Sequence, residues 1–467
     1  MSLSFFDAKI DSFSSICSEF IKKFNLLATL RAAGARKLRG TPIKRTFGFL
    51  LSSIFANGSS FNQQKFSVEG DGIPSYRGTN RFLSSQSIDW CRVTAETAAE
   101  IISSELDPIR MKAKDAGTKT FRCLVADDTP FKRDRSSEVE KAVKCYDHAA
   151  HSFFNGFRDL HLVYTDGIST IPVSHCLMSE KIEESRERCH MQMNDALFDM
   201  VADCQIAGIR ADYLLFDSWF GNPKDIKRGT AMGYDVICML KKAKTKYLTE
   251  EGKSMTVKSI FSSSKKRRGR SRYLLSTVVT LPDSSQKARL VFVRNRSNRK
   301  DWLVLLSTDL ELSEDEVVAA YSQRWMIETF FKNYKQDLNA VSRCRARKYS
   351  VINANCAIAM IQYMVMAVEK RIQSDPRTLG ELFVAILDEG VIEALSRTVD
   401  EISALFASEV ARRFGVDETE LRTQINEIME HCISGIQGQL RAGCLSVNIE
   451  FISKQLTNIV YRNDLFV

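Results

Sequence analysis

Apolar and polar positions follow different periods along this chain, and the changes of period divide it into regions. Over residues 1–112 apolar side chains recur at the spacing of amphipathic helices, which predicts a helical N-terminal region. Short apolar runs then predict strands over 120–126, 160–164, 170–174, 213–216 and 234–240. Alternating runs between charged turns predict a β-rich insertion over 241–310, and residues 350–372 and 376–467 are again predicted to be helical.

The segment that follows the insertion predicts one amphipathic helix. Ser313 and Glu316 form a capping-box pattern, and neither Pro nor Gly occurs from there to Leu338. At about 100° per residue, one stripe collects polar side chains within roughly 60° of one another: Tyr321, Arg324, Glu328 and Lys335. A neighbouring apolar stripe, which includes Phe330 and Phe331, would pack the helix against the core. By itself this pattern also fits an ordinary surface helix with an intrahelical ion pair.

Two aspartates follow apolar strands in the region before the insertion. Asp127 comes directly after the first strand, and Pro130 is expected to end that strand. Asp217 follows the strand over 213–216 in the same way. Asp127 and Asp128 are adjacent, so strand alternation would send their side chains to opposite faces. Between 160–164 and 170–174, Asp166 and Gly167 predict a tight turn.

Composition changes this picture only moderately. The chain has 467 residues, 44% of them hydrophobic and 26% charged, which is typical of folded globular proteins. The formal charge of +9 is compatible with nucleic-acid binding, and basic residues concentrate at 31–45, 265–272, 294–300 and 343–348. The 12 cysteines include no C-x-x-C pair, so we expect free thiols in a reducing compartment. We also expect no membrane helix and no signal peptide.

Three carboxylates in this order suggest a metal site. Two aspartates after strands, joined by Glu328 from a helix, offer the hard oxygen ligands that Mg²⁺ prefers. Two such ions about 4 Å apart are suited to phosphodiester chemistry. The competing interpretation is that an aspartate after a strand is only a turn former.

The same residues carry a resemblance to a known family. Tyr321, Arg324, Glu328 and Lys335 match the Y-x2-R-x3-E-x6-K signature of the DDE transposases of bacterial insertion sequences, of the insertion-sequence-four type. The segment 215–220, around Asp217, resembles the second-aspartate motif of that family, and 125–129 resembles the first, written D-x-S/T. The D-x-T spacing favours Asp127 over Asp128 as the first ligand. The resemblance covers about 120–340.

The resemblance implies an α/β fold with a ribonuclease H-like catalytic core, interrupted by the β-rich insertion and flanked by helical N- and C-terminal regions. The expected core consists of 113–240 and, with the Glu328 helix, 311–375, and the insertion between them is 241–310. The helical region 1–112 is a candidate for DNA binding. The helical region 376–467 is a candidate for dimerisation.

The resemblance also implies an activity and its partners. Asp127, Asp217 and Glu328 would bind two Mg²⁺ ions, or Mn²⁺ in their place, and catalyse DNA cleavage at transposon ends followed by strand transfer into target DNA. Tyr321, Arg324 and Lys335 would contact DNA phosphates. The partners would be double-stranded DNA and a second copy of the chain in a synaptic complex. The location would be the bacterial cytoplasm, at the nucleoid when DNA is bound.

Two alternative functions and the role of one tryptophan stay open at this point. One is a DNA-binding descendant or regulator of transposition that no longer cleaves, although the intact Asp-Asp-Glu set argues against it. Another is an unrelated two-carboxylate enzyme such as a glycosidase, which would have no need of a basic stripe. Trp302, in the insertion, is a candidate for stacking on an extruded base, while a tryptophan that packs in the core is the simpler interpretation.

Overall fold

The structure is a computed structural model of the whole chain. It describes residues 16–36, 40–55, 73–115, 120–135, 138–179, 185, 187–267, 271–295, 298, 301–415, 417–423 and 425. By its internal contacts the chain divides into two compact units, of which one comprises Phe24–Arg36 and Asn80–Pro376. The other comprises Met1–Lys23, Lys37–Thr79 and Arg377–Val467, so far as these are described. The five-region division expected from the sequence stays a prediction.

The described helices lie mostly before the first strand and after the last strand. In chain order they are α1 (Leu26–Ala32), α2 (Ile43–Ser52), α3 (Tyr76–Leu83), α4 (Trp90–Ile101), α5 (Asp107–Asp115), α6 (Met193–Ile206), α7 (Pro223–Ala231), α8 (Val257–Ser263), α9 (Glu314–Ser322), α10 (Trp325–Lys332), α11 (Ala340–Arg343), α12 (Tyr349–Ile372) and α13 (Leu379–Phe414). Residues 426–467, where the sequence predicts further helix, lie outside the described part of the chain.

Eleven strands form one mixed sheet among the described residues. They are β1 (Cys123–Lys132), β2 (Val143–Asp147), β3 (Ser152–Thr165), β4 (Thr170–Met178), β5 (Tyr213–Phe216), β6 (Asp235–Met239), β7 (Lys246–Thr249), β8 (Ser254–Thr256), β9 (Tyr273–Thr280), β10 (Lys287–Arg294) and β11 (Trp302–Ser307). The order is β2-β3-β1-β5-β6-β11-β10-β9-β7-β8, and β4 also pairs with β3. The five strands predicted before the insertion are all present.

The first strand does not end where Pro130 was expected to end it. Strand β1 continues to Lys132 and stays antiparallel to β3, with Pro130 opposite Arg158. On its other side β1 pairs with the parallel strand β5 only as far as Ala126 and Phe216. Beyond Ala126 that side of β1 has no pairing with β5, so a residue without an N–H is tolerated there. The expectation that Pro130 stops the strand is therefore wrong.

The predicted turn and the predicted β-rich insertion are both confirmed. Gly167 has φ +89°, in the left-handed region that favours glycine, and it lies in the turn between β3 and β4. The insertion contains β7 to β11 and the helix α8. Its last strand, β11, pairs antiparallel with β6, so these strands extend the sheet of the core.

The helix predicted over Ser313–Leu338 is divided into three parts. Its capping box is present, since Ser313 Oγ accepts from the backbone of Glu316 and the Glu316 side chain accepts from the backbone of Ser313. Helix α9 then ends at Ser322, and Arg324 N donates to Tyr321 O three residues back, at 3.0 Å. After α10 the chain makes a π-helical turn over Asn333–Asp337. The prediction of one regular helix is wrong, because the hydrogen-bond period changes twice without a Pro or Gly.

Helix α12 is a core element. It packs against β4 and α4, and the described residues from Val351 to Val368 are mostly buried. By length and composition alone it could cross a membrane. However, 89% of its most apolar window is buried within the protein, as in the core helix of a folded domain. The cysteines of the described chain are free and almost all buried, as expected.

Candidate active site

Asp127 and Asp217 are brought together by the pairing of β1 with β5. The last pair of this parallel ladder joins Ala126 to Phe216, so Asp127 and Asp217 are the next residues on two adjacent strands that run in the same direction. Parallel strands present their carboxyl ends at the same edge of a sheet, which places the two side chains in one cleft. The cleft is also lined by Glu328, Arg324 and Lys335 and has a volume of about 590 Å³.

The turn after β5 sets the position of Asp217. Its Oδ1 accepts a hydrogen bond of 2.7 Å from Trp219 N, which holds the carboxylate at the start of the turn. Four residues after Asp217, the backbone passes so close to β6 that a Cβ at Gly221 would lie 2.3 Å from Met239 O. Only glycine fits this approach, so a substitution of Gly221 would displace the loop that carries Asp217.

Asp127 and Asp128 have different surroundings. Asp128 forms a two-pronged ion pair with Arg158, in which Arg158 Nη2 lies 2.7 Å from Asp128 Oδ1. Asp127 instead receives Arg324 Nη1 on Oδ2 at 2.9 Å. The structure therefore places Asp127, and not Asp128, beside Arg324 and Asp217. The assignment of Asp127 as a metal ligand stays a prediction.

Arg324 lies between two of the three acids. The same Nη1 atom that contacts Asp127 lies 3.5 Å from Glu328 Oε1. The Glu328 side chain is 40% exposed and that of Asp127 is 18% exposed. The ligand atoms of Asp127, Asp217 and Glu328 are not among the described groups that all lie within 4.8 Å of one another. Three like charges repel one another, and the guanidinium offsets part of this repulsion because it contacts two of them.

The electrostatics of the cleft show a deficit of positive charge. The pKa of Asp127 is raised to about 7, first because the side chain is buried and next because Asp217 is close. Arg324 and the Asp128 N–H lower the pKa of Asp127, but they do not cancel these two causes. A cation placed between Asp127 and Asp217 would remove the repulsion.

The other two residues of the predicted polar stripe also lie at the site. Tyr321 is half-buried one turn before Arg324, and its pKa is raised, mainly by burial. Lys335 is half-buried and lines the cleft on the far side of Glu328. Burial lowers the pKa of Lys335, while the carboxylates of Asp159 and Glu328 oppose this effect. The stripe is thus preserved although the helix that carries it is interrupted.

The donor set of the cleft fits a hard divalent cation. Four carboxylates line it, those of Asp127, Asp128, Asp217 and Glu328, and its lining contains no histidine or cysteine among the described residues. Burial and the nearby Asp217 raise the pKa of Asp127, and a cation would offset the second of these causes. Asp127, Asp217 and Glu328 are the residues that could hold such an ion.

Sequence reasoning missed a buried polar cluster next to this cleft. The Asp159 carboxylate is fully buried and contacts His161, His175 and Tyr334. Asp159, His175 and Cys356 also have ligand atoms within 4.8 Å of one another, as do Glu187, Cys189 and His190 elsewhere. The residues of the first cluster come from β3, β4, the π-helical turn and α12, so no local spacing reveals it. The alternation of polar residues in the buried strand β3 was the available signal.

Trp302 lies away from the acidic cleft, in the insertion. Its ring stacks on that of Phe261 with centroids 4.5 Å apart, and the Phe292 ring is 5.2 Å away. Lys242 Nζ lies 4.3 Å from the Trp302 ring centroid. These contacts are those of a packed side chain, which agrees with the simpler of the two interpretations.

Comparison with known proteins adds a family. The family profile described as transposase DDE domain matches residues 118–365, more than half of the chain. No curated protein matches the chain. Among solved structures, the Drosophila P element transposase strand transfer complex is similar at 10% identity, over 96% of this chain and 93% of that chain, with a TM-score of 0.22. A TM-score this low does not establish a common fold.

Proposed function

The chain belongs to the transposase DDE domain family, whose members act in DNA transposition, and from this premise we propose a specific reaction and site. The proposed reaction is metal-dependent cleavage of DNA at transposon ends, followed by transfer of the freed strand into target DNA. The proposed type is the cut-and-paste transposase of the insertion-sequence-four group. The proposed fold of the core is ribonuclease H-like, which is supported by the mixed sheet with flanking helices and by strands inserted before the Glu328 helix.

One observation carries this proposal. Asp127 and Asp217 follow the last pair of the β1–β5 ladder, and Glu328 is linked to Asp127 through Arg324 Nη1. A two-carboxylate glycosidase does not explain an arginine and two lysines that line the same cleft as four acids. A phosphodiester substrate explains both the basic and the acidic residues. Its anionic oxygens would bind the basic side chains, and the divalent ions that activate it need carboxylate ligands.

The three acids are proposed to hold two divalent cations, Mg²⁺ or Mn²⁺. When bound, such ions activate the attacking oxygen and stabilise the leaving oxygen of a phosphodiester. Asp127 is held by its pairing with His161 on β3, and Asp217 by the hydrogen bond from Trp219 N, whereas Glu328 is more exposed than Asp127. The carboxylates would bind as anions, so protonation of Asp127 competes with the metal.

The basic residues of the stripe are proposed to orient the DNA. A guanidinium has more donors than the two contacts that Arg324 Nη1 makes with Asp127 and Glu328, so Arg324 can also bind a phosphate. Lys335 would supply a point charge on the other side of Glu328, and Tyr321 a hydroxyl donor. The DNA ends would be paired by two copies of the chain, and the reaction would take place at the nucleoid in the bacterial cytoplasm.

The test is DNA cleavage by matched carboxamide variants. With a duplex that carries the inverted repeats flanking the gene, Asp217→Asn and Asp127→Asn are expected to abolish Mg²⁺-dependent nicking while gel-shift affinity for the same DNA is kept. Asp128→Asn is the control, since the carboxylate of Asp128 forms an ion pair with Arg158. Normal nicking by Asp217→Asn would refute the assignment. Specific binding by the wild-type chain without any nicking would favour the non-cleaving descendant instead.

A further inference from the structure

A buried polar cluster lies directly beside the proposed metal site. Its centre is Asp159 on β3, with no exposed surface. His175 Nδ1 lies 3.1 Å from Asp159 Oδ1, and His161 Nε2 lies 2.8 Å from Asp159 Oδ2. Tyr334 Oη donates to Asp159 Oδ2 at 3.2 Å. A fully buried carboxylate needs such partners, because a charge that is buried without compensation strongly destabilises the fold.

Strand register puts this cluster on the same face of the sheet as the first catalytic aspartate. Asp127 on β1 is directly opposite His161 on β3, and His161 is directly opposite His175 on β4. Residues opposite each other in an antiparallel pair point to the same face. Asp127 and the two histidines therefore form one row across three strands, with Asp159 beside it.

The helix that carries Glu328 rests on this row. The Phe330 and Phe331 rings meet the His161 ring edge-on, with centroids 5.2 Å and 5.5 Å away. Tyr334 is fully buried and lies 5.0 Å from the same ring. Tyr334 is also the residue immediately before Lys335, within the π-helical turn. The cluster thus contacts both sides of the segment from Glu328 to Lys335 and determines where that segment sits above Asp127.

We propose that Asp159, through Tyr334, His161 and His175, is a positioning residue that sets where Glu328 and Lys335 stand relative to Asp127 and Asp217. The inference rests on the proposed function, because it assigns the cluster to the metal site of that reaction. The cluster touches neither metal nor DNA. Its effect is on geometry: the hydrogen bond from Tyr334 to Asp159 fixes the register of the π-helical turn, and with it the approach of the third carboxylate.

A metal ion in the cluster itself is the competing explanation. Asp159, His175 and Cys356 have ligand atoms within 4.8 Å of one another. The carboxylate, however, already has a donor on each oxygen, from His175 on Oδ1 and from Tyr334 on Oδ2. Burial also raises the pKa of the Cys356 thiol well above its usual range, which keeps it protonated and a poor ligand. The contacts favour a hydrogen-bonded network.

The test compares two buried tyrosines that pack on the same ring. Tyr334→Phe removes the hydroxyl that donates to Asp159, and Tyr363→Phe is the matched control. Tyr363 is buried and lies 5.0 Å from the Phe330 ring, but it has no hydrogen bond to Asp159 among those the structure describes. Mn²⁺ affinity is measured by electron paramagnetic resonance of free Mn²⁺, and stability by thermal unfolding in EDTA.

We expect Tyr334→Phe to weaken Mn²⁺ binding by about 10-fold, in the range found when partners of metal ligands are removed. Tyr363→Phe should bind Mn²⁺ within about 2-fold of the wild-type chain even where its unfolding midpoint falls equally. Asp159→Asn should follow Tyr334→Phe. Equal Mn²⁺ affinities in the two tyrosine variants would overturn the inference, since a packing role alone moves only the unfolding midpoint.

Three further outcomes show how this inference and the proposed function can fail separately or together. A wild-type chain that binds Mn²⁺ through Asp217 but never cleaves DNA would refute the proposed function, and the tyrosine comparison would still decide the positioning role. A wild-type chain that binds no Mn²⁺ would overturn both. If one equivalent of metal stays bound in Asp217→Asn but is lost in Cys356→Ser, the cluster is a structural metal site and not a hydrogen-bonded network.

Discussion

Two acidic centres lie next to each other on one face of the sheet, and they balance charge in opposite ways. The carboxylate of Asp159 is enclosed by the protein, and it is contacted by one tyrosine and two histidines. Around Asp127, the side chain is nearly as buried, but its neighbours include a second acid. The pKa of Asp159 is lowered well below its usual range, while that of Asp127 is raised to about 7.

The difference shows what burial does with and without donors. Burial alone raises the pKa of both aspartates. Near Asp159 the contacts with His161 and His175 outweigh it, so the pKa of Asp159 stays below its usual range. Near Asp127, Arg324 supplies only part of the compensation, and the rest is left for a bound cation. A closed centre is therefore suited to maintaining the fold, and an open one is suited to binding a cation.

The largest effect on stability should come from removing the buried carboxylate of Asp159. Asp159→Ala leaves His161, His175 and Tyr334 buried without the carboxylate, which should lower the free energy of unfolding by about 3–5 kcal/mol. Asp217→Ala, in the open cleft, should leave it unchanged or raised, because it removes a charge that repels Asp127. Urea unfolding of the two variants at neutral pH measures both. Equal losses would mean that the two centres do not differ in the way described.

The next effect is a pH dependence of stability that belongs to the open centre. Because the pKa of Asp127 is about 7 in the folded chain, above that of an unfolded aspartate, the folded state holds a proton that the unfolded state has lost. Its contribution is therefore most favourable below about pH 4 and is lost as pH rises to about 7, by about 2–4 kcal/mol. Urea unfolding in EDTA should show this decline in the wild-type chain. Asp127→Asn should remove that part of the slope, and an unchanged slope would contradict the assignment.

A smaller effect is stabilisation by metal. At a free Mn²⁺ concentration of about ten times the dissociation constant, binding to the folded state adds about 1.4 kcal/mol to the free energy of unfolding. We expect this gain in the wild-type chain and its loss in Glu328→Gln, as measured by urea unfolding with and without Mn²⁺. Asp128→Asn should keep the gain. A gain that survives in Glu328→Gln would remove Glu328 from the set of ligands.

The smallest effect concerns a residue outside both centres. Trp302→Phe keeps an aromatic ring against Phe261 and Phe292, and because Trp302 is only half-buried the smaller ring should cost about 1 kcal/mol. DNA cleavage should be unchanged, because the ring is packed within the insertion. A large loss of cleavage without loss of stability would show instead that Trp302 contacts the DNA.

Much of the candidate site is predictable from local patterns. The strands before Asp127 and Asp217 are short apolar runs, and the polar stripe from Tyr321 to Lys335 is visible by its spacing. The capping box at Ser313 is also a local signal, and the structure contains it. Pro130 misleads, because its effect depends on whether a partner strand needs its missing N–H, and that is a property of the sheet.

The breaks in the Glu328 helix could not be predicted in the same way. Neither Pro nor Gly marks them, and they occur where Arg324 reaches Asp127 on one side and Tyr334 reaches Asp159 on the other. Each of these contacts joins residues more than 170 positions apart in the chain. Local propensity contains no information about such partners.

By itself, the sequence determined which residue types are present, their order, and the strands and helices that carry them, because these depend on periods of two and of about 3.6 residues. The tertiary structure alone decided that Asp128 is paired with Arg158 while Asp127 faces Asp217, and that Asp159 is enclosed beside them. The physical reason is that charge compensation depends on distances across strands and helices, and chain packing sets those distances.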